Sequence, residues 1–383
     1  MADVDTARML ADARELAFPR ASGTPGNRRA CLLVADKLRQ AGLDVAAEEF
    51  SYDLGPALRA LRTVLIVAGS LVGGAGLLAL RAPAAALVCL VAGSLIGGVL
   101  LAWAPGVERL YAARGPTITW NVVGRKTCAH PRAMLILLAH YDSKSQNLSL
   151  PLRLGATIVA IVGTGATTLL VALAVAGAPF GPAALPAASG SLAALALFGL
   201  ATLSSGNASP GGVDNAGSVA LLCELARRLP ALLPDDVELV FLSPGAEEDH
   251  MIGAMRFLDA HRAELAAQPV QALNFDGAGA PGHPVILASY GLWHPFAPAL
   301  ARAARASAQR LGLRPRSIWL PPAIGIDAIP FHHRGVPCLT LSSGSLGRAT
   351  LAVHSERDVA EHLDGATLEV VARWALDIAA SVA

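Results

Sequence analysis

Four long stretches almost free of charge interrupt this sequence, and they constrain its fold more than any other feature. They cover residues 63–80, 84–103, 154–178 and about 184–203, each near the ~20 residues that a helix needs to cross hydrocarbon. A buried helix of a soluble core normally runs shorter and keeps a polar face, whereas residues 63–80 carry no charge at all. The pattern therefore predicts four transmembrane helices. Composition agrees: 54% of the 383 residues are hydrophobic and only 15% charged, with a mean hydropathy of +0.50, too apolar for an ordinary soluble enzyme.

The stretches come in pairs, which predicts two membrane hairpins at residues 57–104 and 152–204, inserted into a second domain built from residues 1–56, 105–151 and 205–383. The flanks carry Arg59, Arg62, Arg109, Arg114, Lys144 and Arg153, while the connecting turns carry only Arg81. Positive residues stay on the cytoplasmic side, so the reading is a multi-pass protein of an inner or plasma membrane with its polar domain in the cytoplasm. The first twenty residues mix acids and bases and lack the apolar core of a secretory signal. Gly69 with Gly73, and Gly93 with Gly97, have the spacing that lets helix backbones approach closely in lipid, and predict close packing within the first hairpin. A net charge of +1 and the lack of any basic run give no footprint for nucleic acid. Cys31, Cys89, Cys128, Cys223 and Cys338 form no CxxC pair and indicate neither a disulfide framework nor a cysteine metal site.

Outside the hairpins, helices and short apolar strands alternate. Helices are predicted at 5–18, 27–41, 216–228, 251–266, 295–311 and 367–382, and strands at 44–52, 117–123, 133–139, 237–243, 270–275, 285–289 and 336–341. This alternation implies an α/β fold with a mostly parallel, mixed central sheet flanked by helices.

Polar residues follow those strands in a telling way. AMLILLA runs directly into His140, Tyr141 and Asp142; VELVFLS leads to Glu247 and Glu248; VQALNF ends in Asp276. Ligands gather at the carboxyl ends of parallel strands. Asp214 precedes a helix in GGVDNAG, and His354 follows the last strand in LAVHSERD. Singly, each has a plainer role: a hydrogen-bonded histidine, a helix N-cap, a solvated glutamate. Together, His140, Asp214, Glu248, Asp276 and His354 offer two imidazoles and three carboxylates. That donor set suits zinc, with cobalt or manganese as substitutes, and is too large for one tetrahedral ion.

The ordered motifs HYDS (140–143), GGVDNAGS (211–218), AEE (246–248), NFDG (274–277) and HSERD (354–358), with the segment from Phe18 to Phe50, resemble the zinc aminopeptidase family of co-catalytic metallopeptidases. Bacterial leucyl aminopeptidases belong to it; glutamate carboxypeptidases and glutaminyl cyclases are more distant relatives. The resemblance covers everything but the hairpins and implies two zinc ions, one completed by His140 and Asp276, the other by Glu248 and His354, with Asp214 bridging. It implies Glu247 as general base, taking a proton from a water activated between the ions, and Asp142 as the carboxylate that orients His140.

The chain departs from the family where Asp249, His250, Met251 and Ile252 stand in place of a glycine-rich turn, and where Ala328 in GIDAIPF replaces a common histidine. About a dozen residues join His140 to the third apolar stretch, so at roughly 3.3 Å per residue the site is expected near the membrane surface. The expected partners are the lipid bilayer and a substrate that is a peptide or an amphipathic amide such as an N-acyl amino acid or lipopeptide. A one-zinc acyltransferase of the glutaminyl cyclase type and a non-catalytic membrane binding protein are the alternatives.

Overall fold

A computed structural model describes residues 4–102, 114–179, 181–291, 293–321 and 324–382. Trp103 and Arg109, which the sequence places at the end of the second apolar stretch and on a flank, lie outside these residues. The chain divides into two compact units. One comprises Met1–Ser51, Gly115–Ser145 and Gly206–Ala383, the other Tyr52–Arg114 and Gln146–Ser205.

The first unit is built on one mixed sheet. Its main strands are β1 (Asp44–Tyr52), β2 (Thr117–Lys126), β3 (Ala133–Leu138), β4 (Val237–Ser243), β5 (Val270–Phe275), β6 (His283–Tyr290), β7 (Arg316–Leu320) and β8 (Cys338–Gly344), in the spatial order β1-β2-β4-β3-β5-β8-β6-β7. The central block β4-β3-β5-β8 is parallel throughout. All of β4 and all but the first residue of β3 are buried, as near-continuous apolar strands covered by helices on both faces must be. The helix Gly217–Leu232 supplies Leu221, Leu222, Leu225 and Leu229 to that core, and Gly365–Val382 supplies Trp374, whose indole N–H donates to Ala304 O at 2.9 Å. Local chemistry sets the helix starts: the Thr24 hydroxyl accepts from Asn27 N at 3.2 Å, just ahead of Pro25 in the helix Pro25–Gln40.

Register puts the strand ends level. Leu138 of β3 lies opposite Leu242 of β4 and Asn274 of β5, and Phe275 opposite Leu341 of β8. The segments that follow β3, β4, β5 and β8 therefore leave the sheet from one edge.

One expectation needs correction, and two elements were not expected. The helix expected over 251–266 is two, Ile252–Ala260 and Arg262–Ala266. The break falls at His261, whose ring nitrogens meet Glu48 Oε1 at 2.7 Å and Glu264 Oε2 at 3.0 Å. Strand β7 went unpredicted because it is an edge strand whose first four residues are exposed and show no apolar alternation. The short helix Ala328–His333 also went unpredicted, since six residues are too few to display a period.

The second unit contains the helices Gly55–Leu78, Pro83–Ala102, Leu150–Val175 and Leu185–Ala201. Gly55–Leu78 and Leu150–Val175 are long and apolar enough to cross a membrane, while the other two are shorter apolar helices. Large apolar side chains face outward, among them Val88 (68% exposed), Ile161 (66%) and Leu195 (67%). The glycines of the first helix do not serve its own hairpin as expected. A β-carbon at Gly69 would meet the Phe198 ring at 2.7 Å, one at Gly73 the Ala194 side chain at 3.0 Å, and one at Gly76 the carbonyl of Pro186 at 2.5 Å. That glycine face packs on Leu185–Ala201, where small residues allow close backbone approach.

Candidate active site

The edge of the parallel block gathers the residues singled out from sequence. His140 stands two residues beyond β3 with its side chain buried. Its Nε2 lies 3.2 Å from Asp214 Oδ1 and 3.8 Å from Glu247 Oε2. His354 Nε2 lies 3.1 Å from Asp214 Oδ2 and 3.0 Å from Glu248 Oε2. Donor atoms of His140, Asp214 and Asp276 fall within 4.8 Å of one another, as do those of Asp214, Glu248 and His354. Two three-donor groups thus share Asp214.

Backbone devices hold the set in place. Asp358 accepts from Val213 N at 2.7 Å and from Asp214 N at 3.2 Å, fixing the loop that carries Asp214. Asn215, joined to Asp214 by a cis peptide, donates its amide to Phe275 O at 3.0 Å and accepts from Gly277 N at 3.1 Å, tying that loop to Asp276. Buried Arg20 donates to Tyr141 O at 2.5 Å, to Gly211 O at 2.8 Å and to Pro210 O, stitching the loop after β3 to the loop before Asp214. Asp142 accepts from Glu247 N and Glu248 N, each at 3.2 Å, and lies 3.5 Å from His140 Nδ1. That ring nitrogen makes no closer hydrogen bond; Asp142 stands beside it, helps to raise the pKa of the imidazole, and also anchors the paired glutamates.

The turn after those glutamates bears out the departure from a glycine-rich pattern in an unexpected form. Ala246, His250 and Met251 all take the left-handed backbone conformation, at φ 55, 71 and 61°, which favours glycine and costs other residues of order 1 kcal/mol or more each. Gly253 closes the turn where only a glycine fits: a β-carbon would lie 2.0 Å from Gly245 O.

The adjacent glutamates differ sharply. Burial would raise Glu248, but His354 and Lys144 hold it below its ordinary value. Lys144 Nζ lies 3.1 Å from Glu248 Oε2 and donates to Glu248 O at 2.5 Å, while Lys144 N donates to Glu248 Oε1 at 3.2 Å. Lys144, counted above as a flanking cation, is therefore part of this cluster. Burial pushes Glu247 well above its ordinary value; His140 opposes the shift and Asp327, Glu248 and Asp276 add to it. Burial and Asp214 raise Asp276 to about 7. Burial would lower His140, yet Glu247, Asp142 and Asp214 push it well above 6.5. These opposed shifts describe carboxylates crowded in a buried space with too little positive charge. Divalent cations shared between N and O donors would neutralise it, so the residues present fit such ions.

Sequence reasoning missed Lys144, Asp358 and Arg20 as parts of the site, and assigned no role to Asp327. Asp358 and Asp327 did stand within the motifs HSERD and GIDAIPF.

Residues 121–379 match the family described as Peptidase family M28. Solved structures share the fold at low identity. A zinc aminopeptidase from Bacillus subtilis aligns at 14% identity and TM-score 0.58, covering 99% of this chain and 95% of that one. An aminopeptidase from Aneurinibacillus sp. strain AM-1 gives 14% and 0.58, covering 98% and 93%. The glutaminyl cyclase of Fimbriiglobus ruber gives 13% and 0.56, covering 99% and 95%. No curated protein matches the sequence.

Proposed function

Because the chain belongs to peptidase family M28, we propose that it is a membrane-embedded, two-zinc, aminopeptidase-like amide hydrolase. The observation that carries this reading is the pair of three-donor groups sharing Asp214. His140, Asp214 and Asp276 would hold one ion, and Asp214, Glu248 and His354 the other; zinc is the metal named for the Bacillus subtilis relative. Bound there, the ions would supply Lewis acidity toward a carbonyl oxygen and lower the pKa of a water molecule.

The chain's own residues do the rest. Glu247 is the general base. Its buried carboxylate, with Oε2 3.8 Å from His140 Nε2 at the edge where the donors meet, is placed to take a proton from the attacking water and to hand it to the departing nitrogen. Glu248, clamped by Lys144 and His354, stays ionised and outside the proton traffic. Asp142 keeps the two glutamates apart by fixing both backbone N–H groups.

Support for the membrane placement comes from the two helices long and apolar enough to span and from the apolar side chains that face outward. All four helices span in this reading. The peptidase unit is cytoplasmic by its flanking positive residues, and its site is close to lipid, because nine residues lie between His140 and Leu150, where the third helix begins. The substrate is then a peptide or an amphipathic amide. A glutaminyl cyclase of the same fold is the rival reading, and metal stoichiometry separates the two.

Glu247→Gln tests the assignment. Purified in detergent, this variant is expected to keep the zinc content of the wild type and to lose about 10²- to 10⁴-fold in amide hydrolysis. Full activity in the variant would contradict the role given to Glu247.

A further inference from the structure

The stretch from Gly277 to Ile326 holds five arginines and neither an acidic residue nor a lysine, in a chain whose net charge is only +1. Arg310 pairs with Asp377 at 2.5 Å. Arg302, Arg305, Arg314 and Arg316 are exposed and engage no carboxylate among the described residues. Arg305 donates to Ser317 Oγ at 3.1 Å, which ties the helix Pro298–Arg310 to strand β7.

Beside these cations stand apolar side chains that the fold leaves in water. Trp293 is 70% exposed, Ile318 41% and Trp319 38%. The two indoles stack, with ring centroids 5.3 Å apart and planes within 14° of each other, and the Trp319 N–H donates to Gly291 O at 2.9 Å. Pairing of β7 with β6 skips Ala288 between Ile318 and Trp319. This irregularity leaves two successive residues exposed, where a regular strand would turn one of them inward. Trp293 also takes the left-handed backbone conformation, at φ 61°, which is unfavourable for a bulky residue. Its ring is mostly exposed, so burial within the chain does little to offset that strain.

Aromatic rings and unpaired arginines side by side match the surface of an anionic bilayer. Indoles settle at headgroup depth, guanidinium groups pair with phosphates, and the cytoplasmic leaflet is negatively charged. A second copy of the chain fits worse. Strand β7 stands at the end of the sheet, but it is five residues long and irregular, and a two-fold pairing along it would set arginine against arginine.

We propose that the Trp293–Trp319 pair and the arginines beside it dock this face of the α/β unit on an anionic lipid surface, with the rings at headgroup depth and the guanidinium groups on lipid phosphates. The inference rests on the membrane placement proposed above and adds a second, peripheral contact to it.

The test follows hydrogen–deuterium exchange of the full chain in lipid nanodiscs, made of phosphatidylcholine alone or with about 30% phosphatidylglycerol. Amides of residues 313–321 are expected to exchange roughly five- to ten-fold more slowly in the anionic discs, the scale that one or two arginines near a charged surface supply. The difference should close in about 0.5 M salt, which screens exposed charges. Arg314→Gln combined with Arg316→Gln should remove most of the slowing, and so should Trp293→Ala at a position exposed enough to leave the fold intact. Both variants should keep the zinc content of the wild type, since none of these residues belongs to the metal cluster. Equal exchange in the two kinds of disc, or slowing that persists in the arginine variant, would overturn the proposal. So would slowing that is already present in detergent and grows with protein concentration, the sign of a second copy on this face. A chain that does not enter the discs would contradict the membrane placement itself, and this inference with it.

Discussion

Two identical side chains side by side, Glu247 and Glu248, show how much environment decides at the scale of a residue. Burial pushes one above its ordinary value against the pull of His140, with the charges of Asp327, Glu248 and Asp276 adding to the shift; the other meets an ammonium and an imidazole, which hold it below its ordinary value. Opposed environments of this kind separate a proton carrier from a fixed charge. Away from the site, His261 makes a second residue-scale statement. It bridges Glu48 and Glu264, and the hydrogen bond to Glu48 raises its pKa. A raised folded value means that its contribution to stability is complete below the unfolded value of about 6.5 and fades as pH climbs through the folded one. Melting temperature measured from pH 6 to pH 9 should therefore fall more steeply for the wild type than for His261→Gln; parallel curves would show that the bridge carries no linked stability.

At the scale of elements, the sheet does the positioning and the turns hold the strain. Strands β3, β4 and β5 end level, so the residues that follow each must meet at one edge. This much was legible in sequence, because an apolar run broken by His140, by Glu247 and Glu248, or by Asp276 announces both the strand and its functional end. Lys144, Arg20 and Asp358 were not legible. Their meaning lies in contacts with segments about a hundred or more residues away, such as Lys144 on Glu248 and Asp358 on Asp214, and no local period or spacing encodes those. Strand β7 was hidden for a related reason, since an exposed edge strand has no buried face to leave a pattern. The turn from Pro244 to Gly253 offers a direct test of positioning. Gly253→Ala places a methyl group against Gly245 O and should cost about 1–3 kcal/mol of stability while displacing both glutamates. Denaturant unfolding that matches the wild type would show that the turn tolerates the group.

For the whole molecule, two kinds of packing divide one chain. The α/β unit buries its apolar strands under helices, whereas the four-helix unit turns many apolar side chains outward and packs inside through Gly69, Gly73 and Gly76. The four apolar helices themselves were legible from charge-free length alone. The partner of each glycine face was not, because the same spacing serves any neighbouring helix, and here it meets the second hairpin rather than the first. If the outward faces meet lipid, the native chain stays with membranes through alkaline carbonate and leaves only with detergent; release by carbonate alone would contradict the embedding. The central claim is that five side chains hold two ions through a shared Asp214, and its most direct measurement is the zinc content of the metal-free full chain after titration and removal of free metal. The account predicts two zinc ions per wild-type chain and loss of tightly bound zinc in Asp214→Ala. A single ion in the wild type, or two ions retained without Asp214, would contradict it.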